Sequence, residues 1–156
     1  MAGRRVDRHH TIHLNGPIAR AFPMFTPLGE EAWVPGWSPD YIHPEDGRTS
    51  AGMVFQTGTG ADATIWACAE WDPAGHRARY VRVTPASRIA EVVVRCRPLP
   101  LERTQADVTY AVTALNADGE AYLADFTETA YAAMIEEWRV DIDRWLADHP
   151  GAVVRH

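Results

Sequence analysis

The chain has 156 residues, of which 46% are hydrophobic and 23% charged, and its formal net charge is −6. A chain of this length fits one domain with a single buried core, and we expect residues 1–156 to form that domain. The composition is typical of globular proteins and excludes a largely disordered chain. The negative charge argues against nucleic acid as a main partner, because phosphate binding needs a concentrated positive face.

Targeting signals and cysteines favour a cytoplasmic protein. The N-terminal segment lacks the apolar run of a signal peptide, and no stretch of about 18 apolar residues is present, so we expect no membrane insertion. The two cysteines, Cys68 and Cys96, lie in apolar stretches without the spacing of a metal knuckle or a disulfide framework. Their pattern predicts free buried thiols, which are common where disulfides are rare.

The first part of the chain predicts one strand followed by two short helices. Residues 6–14 alternate in polarity and are followed by Asn15-Gly16, which indicates a strand and a turn. Pro17 occupies a favoured helix-start position, and apolar residues at helical spacing follow it. Pro27 and Gly29 interrupt that helix, and residues 30–34 predict a second short helical turn.

Residues 52–115 predict a meandering antiparallel sheet, because short alternating segments recur between turn sequences. The predicted strands are residues 52–57, 63–71, 78–84, 88–96 and 106–115. Two neighbouring strands agree that one face of this sheet is buried. In the last strand the apolar face is formed by Ala106, Val108, Tyr110, Val112 and Ala114, and in the preceding strand by Ala90, Val92, Val94 and Cys96.

A long amphipathic helix is predicted from Glu120 to Asp148 and would cover this one-sided sheet. Its apolar stripe is Leu123, Phe126, Ala130, Met134, Trp138, Ile142 and Trp145. The predicted fold is therefore α+β. A curved antiparallel sheet of six to seven strands grips one long C-terminal helix, with two short helices after the first strand.

Three short segments resemble those of a known superfamily. Residues 25–30 (Phe-Thr-Pro-Leu-Gly-Glu), residues 33–37 (Trp-Val-Pro-Gly-Trp) and residues 80–85 (Tyr-Val-Arg-Val-Thr-Pro) carry the most specific likeness. Together with the order of elements, they resemble the START-like helix-grip superfamily (SRPBCC), which includes polyketide cyclases and lipid-transport domains. The first two segments resemble an uncharacterised cyclase-like subgroup.

The resemblance implies a cavity between sheet and long helix that holds lipids, polyketides or other apolar metabolites, but it does not imply one activity. The leading hypothesis is binding of a small, largely apolar molecule, without a cofactor. One alternative is an enzyme of cyclase or aromatase type, and another is a protein-interaction module. A buried titratable group in the cavity would favour the enzyme. We expect a monomer or a homodimer.

Aromatic residues are the main candidates for the cavity wall, because they bury large areas and suit ligand pockets. Each of them has packing in the core as an alternative role. The candidate ligand-binding residues are Trp33, Trp37, Phe55, Trp66, Tyr110, Phe126, Met134 and Trp138.

Polar candidates for the cavity are His10 and Glu31. His10 shares a strand face with Ile12 and Leu14, although a surface or core histidine explains it as well. Glu30 and Glu31 would serve as acid–base groups if buried, or as helix-dipole partners if exposed.

The sequence predicts no metal site, because the nearby histidines do not converge on one point. Arg82 and Glu91 are expected to form a cross-strand ion pair on the solvated face of the sheet.

Overall fold

The computed structural model describes residues 4–156, so the first three residues of the N-terminal segment lie outside the described part. Its centre is a seven-stranded antiparallel sheet in the order β1-β7-β6-β5-β4-β3-β2. The strands are β1 (Arg5–Leu14), β2 (Asp40–His43), β3 (Val54–Thr57), β4 (Thr64–Asp72), β5 (Arg77–Thr84), β6 (Arg88–Leu99) and β7 (Arg103–Ala114). The predicted fold class is confirmed.

The helices lie before and after the run of strands. They are α1 (Ile18–Ala21), α2 (Pro27–Glu30), α3 (Ala117–Asp125) and α4 (Glu128–Asp148), with short 3-10 turns at Phe22–Phe25 and Gly60–Asp62. The two short helices after β1 are confirmed, although the second begins at Pro27 instead of Glu30. Among the described helices, none has the length and apolarity needed to cross a membrane.

The predicted start of the long helix at Glu120 is wrong, because two helices occupy that stretch. Thr127 has an extended backbone, and its hydroxyl accepts a hydrogen bond from the Ala130 amide at 3.1 Å. A threonine in this geometry is a helix N-cap, so α4 begins anew after it.

This interruption changes which residues of the second helix face inward. Ala130, predicted on the buried stripe, is exposed, whereas Tyr131, Ile135 and Leu146 are buried. Tyr131 also donates a hydrogen bond to the Val108 carbonyl of β7 at 2.7 Å, which ties α4 to the sheet.

The alternation of buried and solvent-facing residues along β6 and β7 agrees with the sequence prediction. The predicted inward residues of both strands are all buried, and Val92 of β6 is paired with Tyr110 of β7. The ring of Tyr110 lies 6.3 Å from that of Trp138 on α4, measured between centroids. The sheet therefore presents its apolar face to α4 as expected.

The predicted ion pair between Arg82 and Glu91 is wrong. Across the β5–β6 pair, Arg82 is opposite Ala90, and Glu91 is opposite Val81. The turn sets Thr84 opposite Arg88, so the register is one residue away from the one we assumed. Since neighbouring strand residues point to opposite faces, this shift separates Arg82 from Glu91. The partner of Glu91 is Arg79, whose Nη1 lies 3.2 Å from Oε1 of Glu91.

Two further strand boundaries differ from the prediction. The short edge strand β2 was not predicted, since four residues beside several prolines carry little periodic signal. The strands β6 and β7 also extend through the proline-rich stretch that was predicted as a loop. Leu101 and Glu102 adopt positive φ angles of 61° and 54°, which makes a tight turn and allows the strands to continue to its edge.

The helix α2 is held against the preceding 3-10 turn by close backbone packing. The Thr26 hydroxyl donates to the Pro23 carbonyl at 2.7 Å and accepts from the Gly29 amide at 3.0 Å. A methyl group on Gly29 would overlap the Pro23 carbonyl oxygen. Glycine is therefore required where α2 touches the turn.

We expect Gly29→Ala to lower the free energy of unfolding by about 1–3 kcal/mol, because the added methyl meets rigid backbone. Urea unfolding followed by circular dichroism measures this loss. Gly16→Ala is the matched control, since its methyl would meet a flexible Leu146 side chain at 3.1 Å. Equal stability of the two variants would contradict the proposed backbone contact.

Candidate functional site

A cavity of about 220 Å³ lies between the sheet, α4 and the segment that contains α2. Seven of the eight predicted ligand-binding residues line it: Trp33, Trp37, Phe55, Trp66, Tyr110, Met134 and Trp138. These residues come from five separate stretches of the chain, and the fold brings them together around one space.

The eighth predicted residue, Phe126, lies behind the cavity wall. Its ring packs edge-on against Tyr110 at 5.9 Å and against Tyr131 at 5.4 Å between centroids. It lines a separate pocket at the α3–α4 junction instead. Its contact with Tyr110 supports the wall from outside.

The two predicted polar residues are also placed outside the cavity lining. His10 Nε2 lies 3.0 Å from Oε1 of Glu136 on α4. The pKa of Glu136 is lowered, first by the hydrogen bond from Arg139 and then by the one to His10. Glu31 is exposed and accepts a hydrogen bond from the Tyr41 hydroxyl at 2.6 Å.

Three of the four tryptophans that line the cavity have hydrogen-bonded indole nitrogens. The indole nitrogens of Trp33, Trp37 and Trp66 donate to Met24 O, Pro27 O and Thr57 Oγ1 at 2.8, 2.9 and 2.9 Å. These hydrogen bonds fix the ring orientations, so the rings present carbon surface to the cavity.

The rings also pack on one another in two groups. Phe55 and Trp66 stack with centroids 5.4 Å apart and an interplanar angle of 10°, and Trp37 meets both edge-on. On the opposite side, Trp138 contacts Trp33 at 5.8 Å and Tyr110 at 6.3 Å. Such contacts favour a rigid wall, since each pair adds about 0.5–1.5 kcal/mol beyond its area burial.

Glu30 is the acidic group of the cavity. It is the last residue of α2, and it is partly buried in the lining of the cavity. Its carboxyl group has no hydrogen-bond or ion-pair partner among residues 4–156. Burial raises the pKa of Glu30 from 4.5 to about 8, and the positive charge of Arg82 partly opposes this rise. The cause is desolvation, which disfavours the charged form of a carboxyl group.

Arg82 supplies a positive charge to the same cavity. It lies on the same inward-facing side of β5 as Tyr80 and Thr84. Its Cζ lies 4.5 Å from the centroid of the Trp66 ring. A guanidinium over an indole face is a favourable cation–π contact. Arg82 forms no ion pair with any carboxylate in the described part of the chain, Glu30 included.

Two tyrosines complete the polar lining. Burial raises the pKa of Tyr110 to about 12, with Arg82 acting in the opposite direction. Burial also raises the pKa of Tyr80, whose hydroxyl donates to the Phe25 carbonyl at 3.1 Å. Both hydroxyls are therefore protonated at neutral pH.

Sequence reasoning did not place Arg82 or Tyr80 in the site. The two-residue periodicity of β5 could have placed them there, because residues 78, 80, 82 and 84 lie on the same face of the strand. The prediction that Arg82 lies on the solvated face, paired with Glu91, is wrong, because Arg82 lines the cavity. Glu30 was considered together with Glu31, but a helix of one turn gives too little periodicity to separate the two.

Metal ligation has no geometric support within residues 4–156. No three side chains among His, Cys, Asp and Glu converge there as a metal ion requires. Cys68 and Cys96 are free and buried, as predicted.

Comparison with known proteins identifies the fold. No family model matches the chain, and no curated protein matches it at the level of sequence. An uncharacterised protein from Rhizobium leguminosarum has a similar structure, with a TM-score of 0.68 and 14% identity over 95% of this chain and 98% of its own.

Two similar structures belong to enzymes. The Zhui aromatase/cyclase from Streptomyces sp. R1128 has a TM-score of 0.64 and 18% identity, covering 97% of this chain and 100% of its own. Norcoclaurine synthase from Thalictrum flavum, solved with dopamine and hydroxybenzaldehyde, has a TM-score of 0.66 and 10% identity, covering 96% and 91%. These likenesses extend over nearly the whole chain, and they show that it has the helix-grip fold.

Proposed function

We propose that the protein binds a small, largely apolar molecule, preferably aromatic, in the cavity between the sheet and α4. The observation that carries this proposal is the aromatic wall around an open space of about 220 Å³. Three of the four indole N–H groups in this wall are satisfied internally, so the wall offers mainly dispersion and hydrophobic contact to a guest.

The cavity volume favours a compact ligand over a long lipid. An engineered apolar cavity of about 150 Å³ is large enough to hold benzene. A space of about 220 Å³ therefore suits a molecule of one or two rings. The bound state of norcoclaurine synthase, with dopamine and hydroxybenzaldehyde, supports small aromatic molecules as guests of this fold.

The expected affinity is micromolar. Burying about 300 Å² of apolar ligand surface contributes roughly 7 kcal/mol at 25 cal/mol per Å². Association entropy reduces this gain, and a micromolar dissociation constant corresponds to about −8 kcal/mol. Tighter binding would require specific polar contacts in addition.

The first test is a titration with 2-acetylnaphthalene, a neutral two-ring probe, followed by quenching of tryptophan fluorescence and by calorimetry. We expect saturable binding, and a loss of about fivefold to tenfold in Trp37→Ala, because Trp37 contacts the ring group that borders the cavity. Trp145→Ala is the control, since Trp145 packs on His149 and not on the cavity.

Absence of saturable binding across a panel of one- and two-ring molecules would defeat the proposal. Unchanged affinity in Trp37→Ala would leave the cavity as the site but remove Trp37 from it.

A second candidate function is acid–base catalysis on the bound molecule, as in a cyclase or aromatase. Glu30 is the specific observation that favours it. A carboxyl group that titrates near 8 is mostly protonated at neutral pH, with a minor ionised fraction, and can both donate and accept a proton. The open cavity favours both of these functions over a protein-interaction module.

The raised pKa of Glu30 predicts a particular pH dependence of stability. Between pH 4.5 and about 8 the folded state holds a proton on Glu30 that the unfolded chain has released. Unfolding then releases this proton, so the free energy of unfolding falls as the pH rises through that interval and levels off above it.

Urea unfolding of the wild type and of Glu30→Gln at a series of pH values measures this effect. We expect the wild type to lose stability relative to the variant across that interval, because glutamine does not titrate. Parallel profiles would show that Glu30 ionises normally. Any turnover found in a substrate panel should be lost in Glu30→Gln while binding of 2-acetylnaphthalene persists.

A further inference from the structure

The cavity contains a permanent positive charge without a compensating negative one. The guanidinium of Arg82 stays ionised at all physiological pH values. Glu30, the acidic residue of the lining, is mostly protonated at neutral pH because burial raises its pKa to about 8. The tyrosines of the lining are neutral, so the cavity has a net charge close to +1.

The geometry of Arg82 leaves most of its five N–H donors available. One face of the guanidinium lies over the Trp66 ring. Its charge and a hydrogen bond act on the Tyr110 hydroxyl, but it has no carboxylate partner in the described part of the chain. Arginines on the outer face differ in this respect, since Arg77 and Arg79 both lie beside Glu70.

Glu30 does not act as the counter-ion of Arg82. The two side chains reach the cavity from different walls, α2 and β5, and they are not in ion-pair contact. A direct ion pair would lower the pKa of the carboxyl group, whereas burial raises it here. Both groups therefore line the cavity without forming an ion pair with each other.

We propose that the cavity selects compact aromatic anions, with a carboxylate or phenolate oxygen of the ligand paired with the guanidinium of Arg82. This inference rests on the proposed function and names its ligand class. The planar guanidinium can bind a carboxylate through two parallel N–H donors, which gives orientation as well as affinity. The ring of the ligand then lies against the aromatic walls formed by Trp37, Phe55, Trp66 and Trp138.

Glu30 contributes in its protonated form. A neutral carboxyl group can donate a hydrogen bond to the anion, whereas an ionised one repels it. The charged and titratable groups that face Glu30 are Arg82 and Tyr80 on β5, Tyr110 on β7 and Tyr41 on β2. All three tyrosines have raised pKa values, so Glu30 is the group that titrates near pH 8. Anion affinity should therefore fall as the pH rises through that value.

The experiment compares two probes of the same shape. In 2-naphthoate the acetyl methyl group of 2-acetylnaphthalene is replaced by a charged oxygen. We expect calorimetry at about pH 6.5 to show that the wild type binds 2-naphthoate at least about tenfold more tightly, since a charge-assisted hydrogen bond contributes that much.

Arg82→Gln removes the charge and keeps a polar side chain. We expect it to lose about tenfold or more in affinity for 2-naphthoate and clearly less for 2-acetylnaphthalene. Arg95→Gln is the matched control, because Arg95 is an exposed arginine on the outer face of β6. It should change neither affinity, and binding of the neutral probe reports that each variant is folded.

Glu30→Gln provides an independent readout through pH. We expect the affinity of the wild type for 2-naphthoate to fall several-fold between about pH 6.5 and about pH 9.5, and that of the variant to stay constant.

Equal affinity of the wild type for the two probes, or tight binding of 2-naphthoate by Arg82→Gln, would overturn the inference. Binding of the neutral probe without any preference for the anion would leave the proposed function intact. Failure of both probes to bind would overturn both.

Discussion

One helix is too narrow to cover the concave face of a seven-stranded sheet. Strands about 4.8 Å apart make a sheet roughly 30 Å wide, whereas a helix with its side chains is about 10–12 Å across. The fold must therefore fill the remaining width with other parts of the chain. The segment that contains α1 and α2 does so on one side, and the space that neither element fills is the cavity.

This constraint explains why the aromatic residues are so many and so well anchored. A gap beside a core collapses unless its walls are stiff, because loosely held side chains rotate to fill it. Here the indoles of Trp33 and Trp37 are hydrogen-bonded to backbone carbonyls, and that of Trp66 to Thr57. Edge-on and stacked ring contacts connect them in turn. The side chains of the walls therefore keep their positions when no ligand is bound, which lowers the entropic cost of binding a ligand.

The sequence predicts those parts of the molecule that repeat a regular period over many residues. Both long strands β6 and β7 show their inward faces directly, and the C-terminal end of the helix at Asp148 agrees with the structure. Local chemistry without a period is harder to predict. A single N-cap residue, Thr127, separates α3 from α4. A one-residue difference in strand register places Glu91 and Arg82 on opposite faces of the sheet, so that they do not pair.

The candidate site was predictable in its apolar part and not in its polar part. Tryptophans near a sheet face indicate a core or a cavity, and seven of the eight candidates do line the cavity. A charged residue in a strand, by contrast, is assigned to solvent on general grounds, because buried charges are costly. Arg82 departs from that rule, and such departures tend to mark functional positions.

The positions of Glu30 and Arg82 follow from the same requirement that α2 lie close to the sheet. Gly29 allows the helix to touch the Pro23 carbonyl, and the next residue, Glu30, then lines the cavity. Burial at this place keeps the carboxyl group protonated and prevents it from neutralising the guanidinium on the facing wall. A well-packed apolar core would be more stable than this arrangement, since neither group has a full set of partners. The chain instead places a proton donor, Glu30, and a fixed positive charge, Arg82, in the lining of one aromatic cavity. These are the two polar groups that would bind a compact anionic ligand.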